Sequence, residues 1–284
     1  MIKRILVALD PSPDTIIATE YAIDIAQKND AAVTGLAVID AGKIAAEAVG
    51  SGIGVMYYSD LLKKHLDKET RDISKRLIGE FDERIAATGI EHMFSMKEGV
   101  PFDRIIEDMK VHDLICIGRR PNFFYSNPEP ESKTLTKIVR NATIPVFIAG
   151  NEYRPIRRVM IAYDGSPAVI RAIHSLTHLQ PFGIPEYCVL VHVRQSEDEK
   201  VKKDSDLLLS LAAGYLEDHG MSNVDVSNLS KGDIADKLIL TADQLEIDLL
   251  VAGTHSGSMW RRLAFGSTLE KLLEEDIRPF WVYH

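Results

Sequence analysis

The chain has 284 residues, of which 45% are hydrophobic and 26% charged, the composition of a soluble globular protein. This length suits two domains of about 140 residues better than it suits one. The formal net charge of −9 disfavours a nucleic-acid-binding surface, because binding phosphates requires clustered Lys and Arg.

The first half of the chain alternates strand-like and helix-like segments. The apolar run from Ile5 to Leu9 predicts a strand covered on both faces, and it is far too short for a signal peptide or a membrane span. Thr15 to Gln27 then has apolar residues at helical spacing, and Val33 to Val38 is a second strand. Further along, Phe102 to Met109 predicts a helix and Leu114 to Ile117 a strand. Strands that alternate with helices indicate a parallel sheet.

The second half of the chain repeats the first. Val7 to Pro13 (VALDPSP) aligns with Ile161 to Pro167 (IAYDGSP), and the offset is constant through this segment. Later, the strand-like segments that end at Gly118 and Gly253 also align. A repeat of this length indicates two copies of one supersecondary arrangement rather than one large domain.

The repeat divides the chain into two predicted domains, 1–150 and 151–284. Each copy reads as five strands alternating with four helices, which predicts an α/β fold with a five-stranded parallel sheet and helices on both faces. The first copy is longer near Ala41 to Asp60, so we expect a loop or an additional helical piece there. The last strands, Val146 to Ala149 and Phe280 to Tyr283, are predicted to be open edges that pair with each other. Association of two chains as a homodimer is left open.

One candidate ligand residue follows the first strand of the second copy. In a parallel sheet, ligands bind beyond the carboxyl ends of the strands, where the strand order reverses. Asp164 is placed at such a strand end, where its carboxylate could accept hydrogen bonds from a base amino group or a ribose hydroxyl. The alternative is a turn aspartate, with Gly165 to Pro167 forming the turn and the start of the next helix.

A second candidate is the loop-to-helix segment from Val251 to Glu270, which follows the fourth predicted strand of the second copy. Glycines there let the backbone approach a ligand closely, and the free N–H groups of a helix start attract an anion. Hydroxyl groups can add donors, and arginines can add positive charge. The alternative is an ordinary loop with a good helix cap. The residues that would form this phosphate cradle are Gly253, Arg261, Arg262, Gly266, Ser267 and Thr268.

The combination of strand-Asp-Gly-Ser with strand-Gly-x-x-Gly-x9-Gly-Ser resembles universal stress proteins, and the likeness covers nearly the whole chain, twice. It implies Rossmann-like domains, and one branch of that family binds ATP or AMP. Carried over by position, the resemblance implies that the second copy holds the nucleotide, and the sequence leaves open whether Mg²⁺ accompanies it. The implied contacts are Ala162, Tyr163 and Asp164 for adenine and ribose, Val193 as the adenine wall, Ala252 and Gly253 for the ribose, and Gly266, Ser267 and Thr268 for the phosphates.

The chain departs from the family pattern in both copies. In the second copy, Ser256 stands where the family has its second glycine, although the spacing to Gly266 is kept. In the first copy, Asp10, Val38 and Gly118 remain, but both phosphate-loop glycines are missing. Prolines, which lack the N–H donor, and glutamates, which repel phosphate, have entered that loop. We therefore interpret the first site as degenerate, or altered to take another ligand.

Reactive and metal-binding side chains are few. Cys116 and Cys188 lie in apolar runs without a CxxC partner, which predicts buried reduced thiols, a cytoplasmic protein and no metal site. His174 and His178 are one helical turn apart, which could bind a metal, with a solvated or packed helix face as the alternative. His192 lies in a strand and is interpreted as packed or hydrogen-bonded rather than catalytic.

These patterns predict a regulatory or stress-response protein that binds one adenine nucleotide, in its second domain, with little or no turnover. The sequence assigns no catalytic residue, because it shows no poised nucleophile and no base dyad. A ligase of the ATP-pyrophosphatase type is disfavoured, since neither Asp10-Pro-Ser nor Asp164-Gly-Ser fits its Ser-Gly-Gly-x-Asp-Ser pattern. A slow ATPase and an interaction module of the same fold without a ligand are the alternatives.

Overall fold

The computed structural model describes residues 1–39, 55–123, 132–254 and 267–284. These residues form two compact units, Ile2–Ile138 and Val139–His284, the second of which also contains Met1. Within each repeat strands and helices alternate along the chain, as the α/β prediction requires.

The Ile2–Ile138 unit is built on parallel strands. In its described part, β1 pairs with β2 on one side and β4 on the other, and β3 pairs with the outer side of β2. These strands are β1 (Arg4–Leu9), β2 (Ala32–Ile39), β3 (His92–Glu98) and β4 (Leu114–Ile117). The helices are α1 (Asp14–Asn29), α2 (Val55–Ala86), α3 (Pro101–Met109) and α4 (Ser132–Asn141), which crosses into the second unit.

The surplus segment of the first copy is partly helical. Its last residues belong to α2, which begins at Val55 and has 32 residues. Residues 40–54 lie outside the described part of the chain.

The Val139–His284 unit contains a five-stranded parallel sheet, as predicted for the second copy. Its strand order is β8-β7-β6-β9-β10. These strands are β6 (Arg158–Ala162), β7 (Tyr187–Val193), β8 (Val224–Leu229), β9 (Leu249–Gly253) and β10 (Phe280–Tyr283). The helices are α5 (Pro167–Leu179), α6 (Glu199–Asp218), α7 (Ile234–Gln244) and α8 (Ser267–Glu275).

An antiparallel strand extends this sheet. β5 (Val146–Ile148) pairs with β10, with Trp281 opposite Phe147, so the last strand of the first repeat belongs to the compact unit of the second. The pairing satisfies the backbone groups along one edge of β10.

The central strands are buried over most of their length, which explains their continuous apolar runs. Ile5 to Leu9 are at most 1% exposed, as expected of strands covered by helices on both faces. Trp281 of β10 is fully buried, and its indole N–H donates to Ser175 Oγ at 2.9 Å. Cys116 and Cys188 are buried free thiols, as predicted, and burial raises the pKa of Cys188 to about 12.

Candidate functional site

The strand order of the second unit creates a switch point between β6 and β9. From β6 the chain continues to β7 and β8 on one side of the sheet, and then crosses to β9 and β10 on the other. Ligands of such sheets bind in the crevice at the carboxyl ends of the two strands that flank the reversal. Asp164 follows β6 and Gly253 ends β9, so the structure places both at this edge.

Asp164 forms a turn and is exposed to solvent. Its Oδ1 accepts a hydrogen bond from the Ser166 backbone N–H at 2.9 Å, and Gly165 has a positive φ of 71°. Ser166 Oγ in turn accepts from the Val169 N–H at 3.3 Å and caps α5. Asp164 therefore stabilises the turn before α5, which is the alternative role that the sequence analysis gave for this residue. Its exposure keeps the carboxylate accessible to a ligand.

Gly253 brings the end of β9 against the start of α5. A Cβ atom at this position would lie 2.6 Å from the Val169 nitrogen and 2.9 Å from Ala168 Cβ. The aligned glycine of the first repeat, Gly118, is packed equally closely, since an added Cβ would lie 2.8 Å from Asp14 Cβ at the start of α1. Close packing thus requires glycine at both positions, a role that the sequence analysis missed.

Apolar side chains line the strand ends beside Asp164. Tyr163, Val193 and Ala252 are buried, while Ala162 is half-buried. The Tyr163 backbone N–H donates to the Val191 carbonyl at 2.8 Å, and the Tyr163 carbonyl lies 2.8 Å from His192 Nδ1. His192 is therefore hydrogen-bonded, as interpreted from the sequence. The residues predicted to contact adenine and ribose thus combine buried apolar side chains with the exposed carboxylate of Asp164.

The phosphate part of the predicted site is described only from α8 onward. α8 begins at Ser267, and Thr268 is half-buried in its first turn. A helix start in this place presents backbone N–H groups that can bind an anion. The other predicted phosphate residues, Ser256, Arg261, Arg262 and Gly266, lie outside the described residues.

Asp10 of the first repeat has different surroundings from Asp164. It is fully buried, its Oδ1 accepts from the Ser12 N–H at 2.6 Å, and its own N–H donates to Thr15 Oγ1 at 3.1 Å. Among the described residues, Asp10 Oδ2 has no hydrogen-bond partner. Burial, opposed by the bonds to Ser12 and Thr15, raises the pKa of Asp10 from 3.8 to about 6. Val38 is also buried, at the penultimate position of β2.

Comparison with known proteins identifies the family. The model of the universal stress protein family matches residues 1–150 and 155–284. The chain belongs to the universal stress protein family. A universal stress protein of Synechocystis is 25% identical over 98% of both chains. The solved structure of a universal stress protein from Archaeoglobus fulgidus has a TM-score of 0.71 at 20% identity and covers 99% of this chain, which covers 97% of that one. A protein of unknown function from Pseudomonas aeruginosa has a TM-score of 0.61 at 15% identity, with coverage of 99% and 92%. At these identities, the solved structures show the fold alone.

The two universal stress protein repeats differ in charge at the start of the first helix. In the first repeat, Asp14 is buried beside Gly118, and its Oδ2 accepts from the Arg120 N–H at 3.0 Å. Arg120 Nε lies 3.8 Å from the same oxygen. The aligned residue of the second repeat is Ala168, which carries no charge. The sequence analysis passed over Asp14, although the charge of this residue at the start of the first helix can be read from the sequence.

The sequence analysis also passed over Arg194, which follows Val193 at the carboxyl end of β7. Its side chain is 9% exposed and donates through Nη2 to Glu197 Oε2 at 2.9 Å. Glu197 Oε1 accepts from the Lys231 backbone N–H at 2.6 Å. Within the described ranges, Arg194 Nε has no hydrogen-bond partner. A basic residue directly after a buried strand was the available signal for this buried cation.

His174 and His178 of α5 lie in a cluster of rings with Tyr215 of α6 and with His219, which follows that helix. The His174 ring stacks on Tyr215 with centroids 4.8 Å apart, and the His178 ring lies 5.4 Å from that of His219. In the part of the chain that the structure describes, no group of three or more His, Cys, Asp or Glu side chains is placed to hold a metal ion. No described helix is long and apolar enough to cross a membrane.

Proposed function

We propose that the second domain of this universal stress protein binds an adenine nucleotide, ATP or AMP, as a regulatory ligand with little or no turnover. The observation that supports this proposal is the exposed Asp164 carboxylate at the switch point between β6 and β9. Its Oδ1 is held by the turn, which fixes the carboxylate in place before a ligand arrives. A carboxylate so placed can accept from a ribose hydroxyl or the adenine amino group.

The rest of the nucleotide would lie along the same edge. The buried side chains of Tyr163 and Val193 offer an apolar surface for adenine. The start of α8 at Ser267 and Thr268 would bind the phosphates through backbone N–H groups and hydroxyls, because the amino end of a helix attracts anions. Gly266 and Ser256, and the charges of Arg261 and Arg262, complete this part of the proposal.

The first domain is proposed not to bind ATP. The Asp10 carboxylate is buried, in contrast to Asp164, and the buried Asp14 lies beside Gly118. A buried carboxylate at this edge opposes a phosphate through like-charge repulsion.

Two further parts of the proposal concern partners and location. The antiparallel pairing of β5 with β10 supports a protein in which the last strands of the two repeats pair within one chain. The two buried free thiols are compatible with a reducing cytoplasm.

The test of the binding site is the variant Asp164→Ala. We expect it to weaken binding of ATP or AMP by about 1.5–3 kcal/mol, the cost of losing a hydrogen bond to a charged group. Isothermal titration calorimetry measures the affinity, and circular dichroism checks that the variant folds. The matched control is Asp204→Ala, since Asp204 is an exposed aspartate of the same domain on α6. Equal affinities of the two variants would contradict the role of Asp164.

Turnover and ligand identity need separate measurements. Mass spectrometry of the denatured purified protein identifies a nucleotide that accompanies it, and phosphate release measures hydrolysis. Steady phosphate release above that of a protein-free control would favour the slow ATPase. Absence of any binding of ATP and AMP to the folded protein would favour an interaction module without a nucleotide.

A further inference from the structure

β3 is an edge strand with an apolar surface. It pairs with β2, and no described strand pairs with its other side. Three of its side chains are large, apolar and substantially exposed: Met93 at 55%, Phe94 at 55% and Met96 at 42%. An exposed apolar edge strand is a template for pairing with another chain.

Two hydrogen bonds define which backbone groups face the open edge. The Glu91 carbonyl accepts from the Val33 N–H at 3.0 Å, and the Gly99 N–H donates to the Ile39 carbonyl at 2.9 Å. The backbone N–H and C=O groups of residues 91 and 99 therefore point toward β2. Because successive residues of a strand direct their backbone groups to opposite sides, the even-numbered residues point the other way. The open edge thus presents the N–H and C=O groups of His92, Phe94, Met96 and Glu98.

The sequence of β3 is complementary to itself when read in the antiparallel direction. A two-fold axis through Ser95 places Phe94 of one copy opposite Met96 of the other, so an apolar pair forms on both sides of the axis. The same register places His92 opposite Glu98, a base opposite an acid, and leaves no like charges facing each other. Opposite-charge and aromatic pairs in these positions stabilise antiparallel strands.

The charged ends of this edge are held in place by α2. His92 Nε2 lies 2.9 Å from Asp82 Oδ1, and Arg71 Nη2 forms an ion pair with Glu98 Oε1. Since both side chains are oriented before association, less side-chain freedom would be lost when a second strand pairs with them.

The corresponding edge strand of the second repeat lacks these features. In β8, Val226 is exposed at 51%, but its neighbours are polar and already bonded. Asp225 accepts from the Tyr187 hydroxyl at 2.9 Å, and the Asn228 amide donates to Ser205 Oγ at 2.8 Å. The apolar, self-complementary edge is therefore a property of β3 and not of the repeat.

We propose that two copies of this chain associate through antiparallel pairing of β3 with β3, about a two-fold axis through Ser95. In this register the outward residues exchange backbone hydrogen bonds, Phe94 with Met96 and His92 with Glu98. Ser95 of one chain then lies opposite Ser95 of the other in a non-hydrogen-bonded pair. This pairing differs from the β5–β10 pairing, which lies within one chain.

The register is tested by disulfide cross-linking. Residues in a non-hydrogen-bonded antiparallel pair have Cα atoms about 4.5 Å apart, within the range that a disulfide spans. We expect Ser95→Cys to form a covalent dimer on mild oxidation, seen on a non-reducing gel. The native thiols Cys116 and Cys188 are buried and give the wild-type background.

Matched cysteine variants distinguish this register from chance collisions. Met93→Cys would place the two thiols about 14 Å apart along the strands, at roughly 3.4 Å per residue, so it should remain uncross-linked. Met93→Cys combined with Lys97→Cys puts thiols opposite each other again and should restore the dimer. Ser227→Cys on β8 is the control on the other edge strand and should remain monomeric. A Ser95→Cys protein that stays monomeric, or a Met93→Cys protein that cross-links equally well, would overturn the proposal.

Light scattering after size exclusion tests association without cysteines. The double variant Phe94→Lys and Met96→Lys places two lysines opposite each other on both sides of the axis, so we expect the dimer dissociation constant to rise by about tenfold or more. Val226→Lys is the control and should leave it unchanged. Circular dichroism verifies that both variants fold. A wild-type chain that is monomeric up to millimolar concentration, or that dimerises equally well with the two lysines, contradicts pairing of β3 with itself.

Discussion

Asp10 and Asp164 occupy the same position in the two repeats, but their carboxylates stand in different environments. Asp10 is fully buried, whereas Asp164 is exposed beside a glycine with positive φ. The first repeat has Pro11 where the second has Gly165. One carboxylate is thus kept from water by the fold, and the other is available at the edge of the sheet.

The burial of Asp10 predicts that stability depends on pH. Its pKa is raised from 3.8 to about 6, so the folded state holds the proton more tightly than the unfolded chain does. Ionisation of the buried carboxyl group therefore destabilises the folded state. The destabilisation has its full size above about pH 6 and disappears as the pH falls from about 6 to 4. A shift of about two pKa units corresponds to roughly 3 kcal/mol.

Asp10→Asn removes this ionisation. We expect the free energy of unfolding of the variant, measured relative to the wild type, to increase by up to roughly 3 kcal/mol between pH 4 and pH 8, so that the variant is the more stable protein at high pH. Urea denaturation followed by circular dichroism across this range measures the change. Asp164→Asn is the matched control at the exposed, aligned position. A pH trend that is identical in the two variants would rule out burial of Asp10 as the cause.

Gly253→Ala tests the close approach of β9 to α5. The added Cβ would lie 2.6 Å from the Val169 nitrogen, so backbone must move. We expect a loss of about 1–3 kcal/mol in the free energy of unfolding, as for other overpacked sites. Gly214→Ala on α6 is the control, because its Cβ meets nothing within 4 Å and alanine favours the helix by up to about 1 kcal/mol. Equal effects of the two substitutions on thermal denaturation would contradict the packing role.

At the scale of elements, the first helix of each repeat starts differently. α5 is capped by Ser166, whose Oγ accepts from the Val169 N–H. α1 follows Pro13 at its N-cap position, and no side-chain cap is formed at this helix start, although Ser12 aligns with the capping Ser166.

Ser166→Ala should therefore be more destabilising than Ser12→Ala. Removing a hydrogen-bonded cap costs about 1 kcal/mol, whereas Ser12 Oγ caps nothing in the described structure. Chemical denaturation of the two single variants measures the difference. A loss at Ser12 as large as that at Ser166 would show that the cap geometry does not determine the stability of these helix starts.

The sequence predicted the elements well because their signals are local. The apolar run of β1 and the helical spacing of α1 depend only on neighbouring residues. The position of Asp164 and Gly253 at the carboxyl edge also follows from the sequence, since it requires only that each stands at the end of a parallel strand. The burial of Asp10 could not be predicted, because it depends on side chains from distant segments.

At the scale of the whole molecule, the two repeats have the same fold but offer different edges. The second presents an exposed Asp164, and the uncharged Ala168 packs against Gly253. The first presents a buried Asp10, and the carboxylate-bearing Asp14 packs against Gly118. We therefore expect one ATP per chain, bound in the second domain, with retention in Asp10→Ala and loss in Gly266→Glu.

The charge difference between Asp14 and Ala168 gives the sharpest test of this asymmetry. Ala168→Asp would place in the second domain the carboxylate that the first domain carries beside its strand-end glycine. Ala168→Asn has nearly the same size without the charge, so packing against Gly253 changes equally in both variants. Because a carboxylate near a phosphate is repulsive by about 1–4 kcal/mol at partly screened distances, we expect ATP to bind at least about tenfold more weakly to the aspartate variant than to the asparagine variant. Calorimetric titration with ATP and with adenosine measures the effect, and the difference should be smaller for adenosine, which has no phosphate. Equal ATP affinities in the two variants, or a wild-type stoichiometry of two ATP per chain, would show that the charge of Asp14 does not distinguish the two domains.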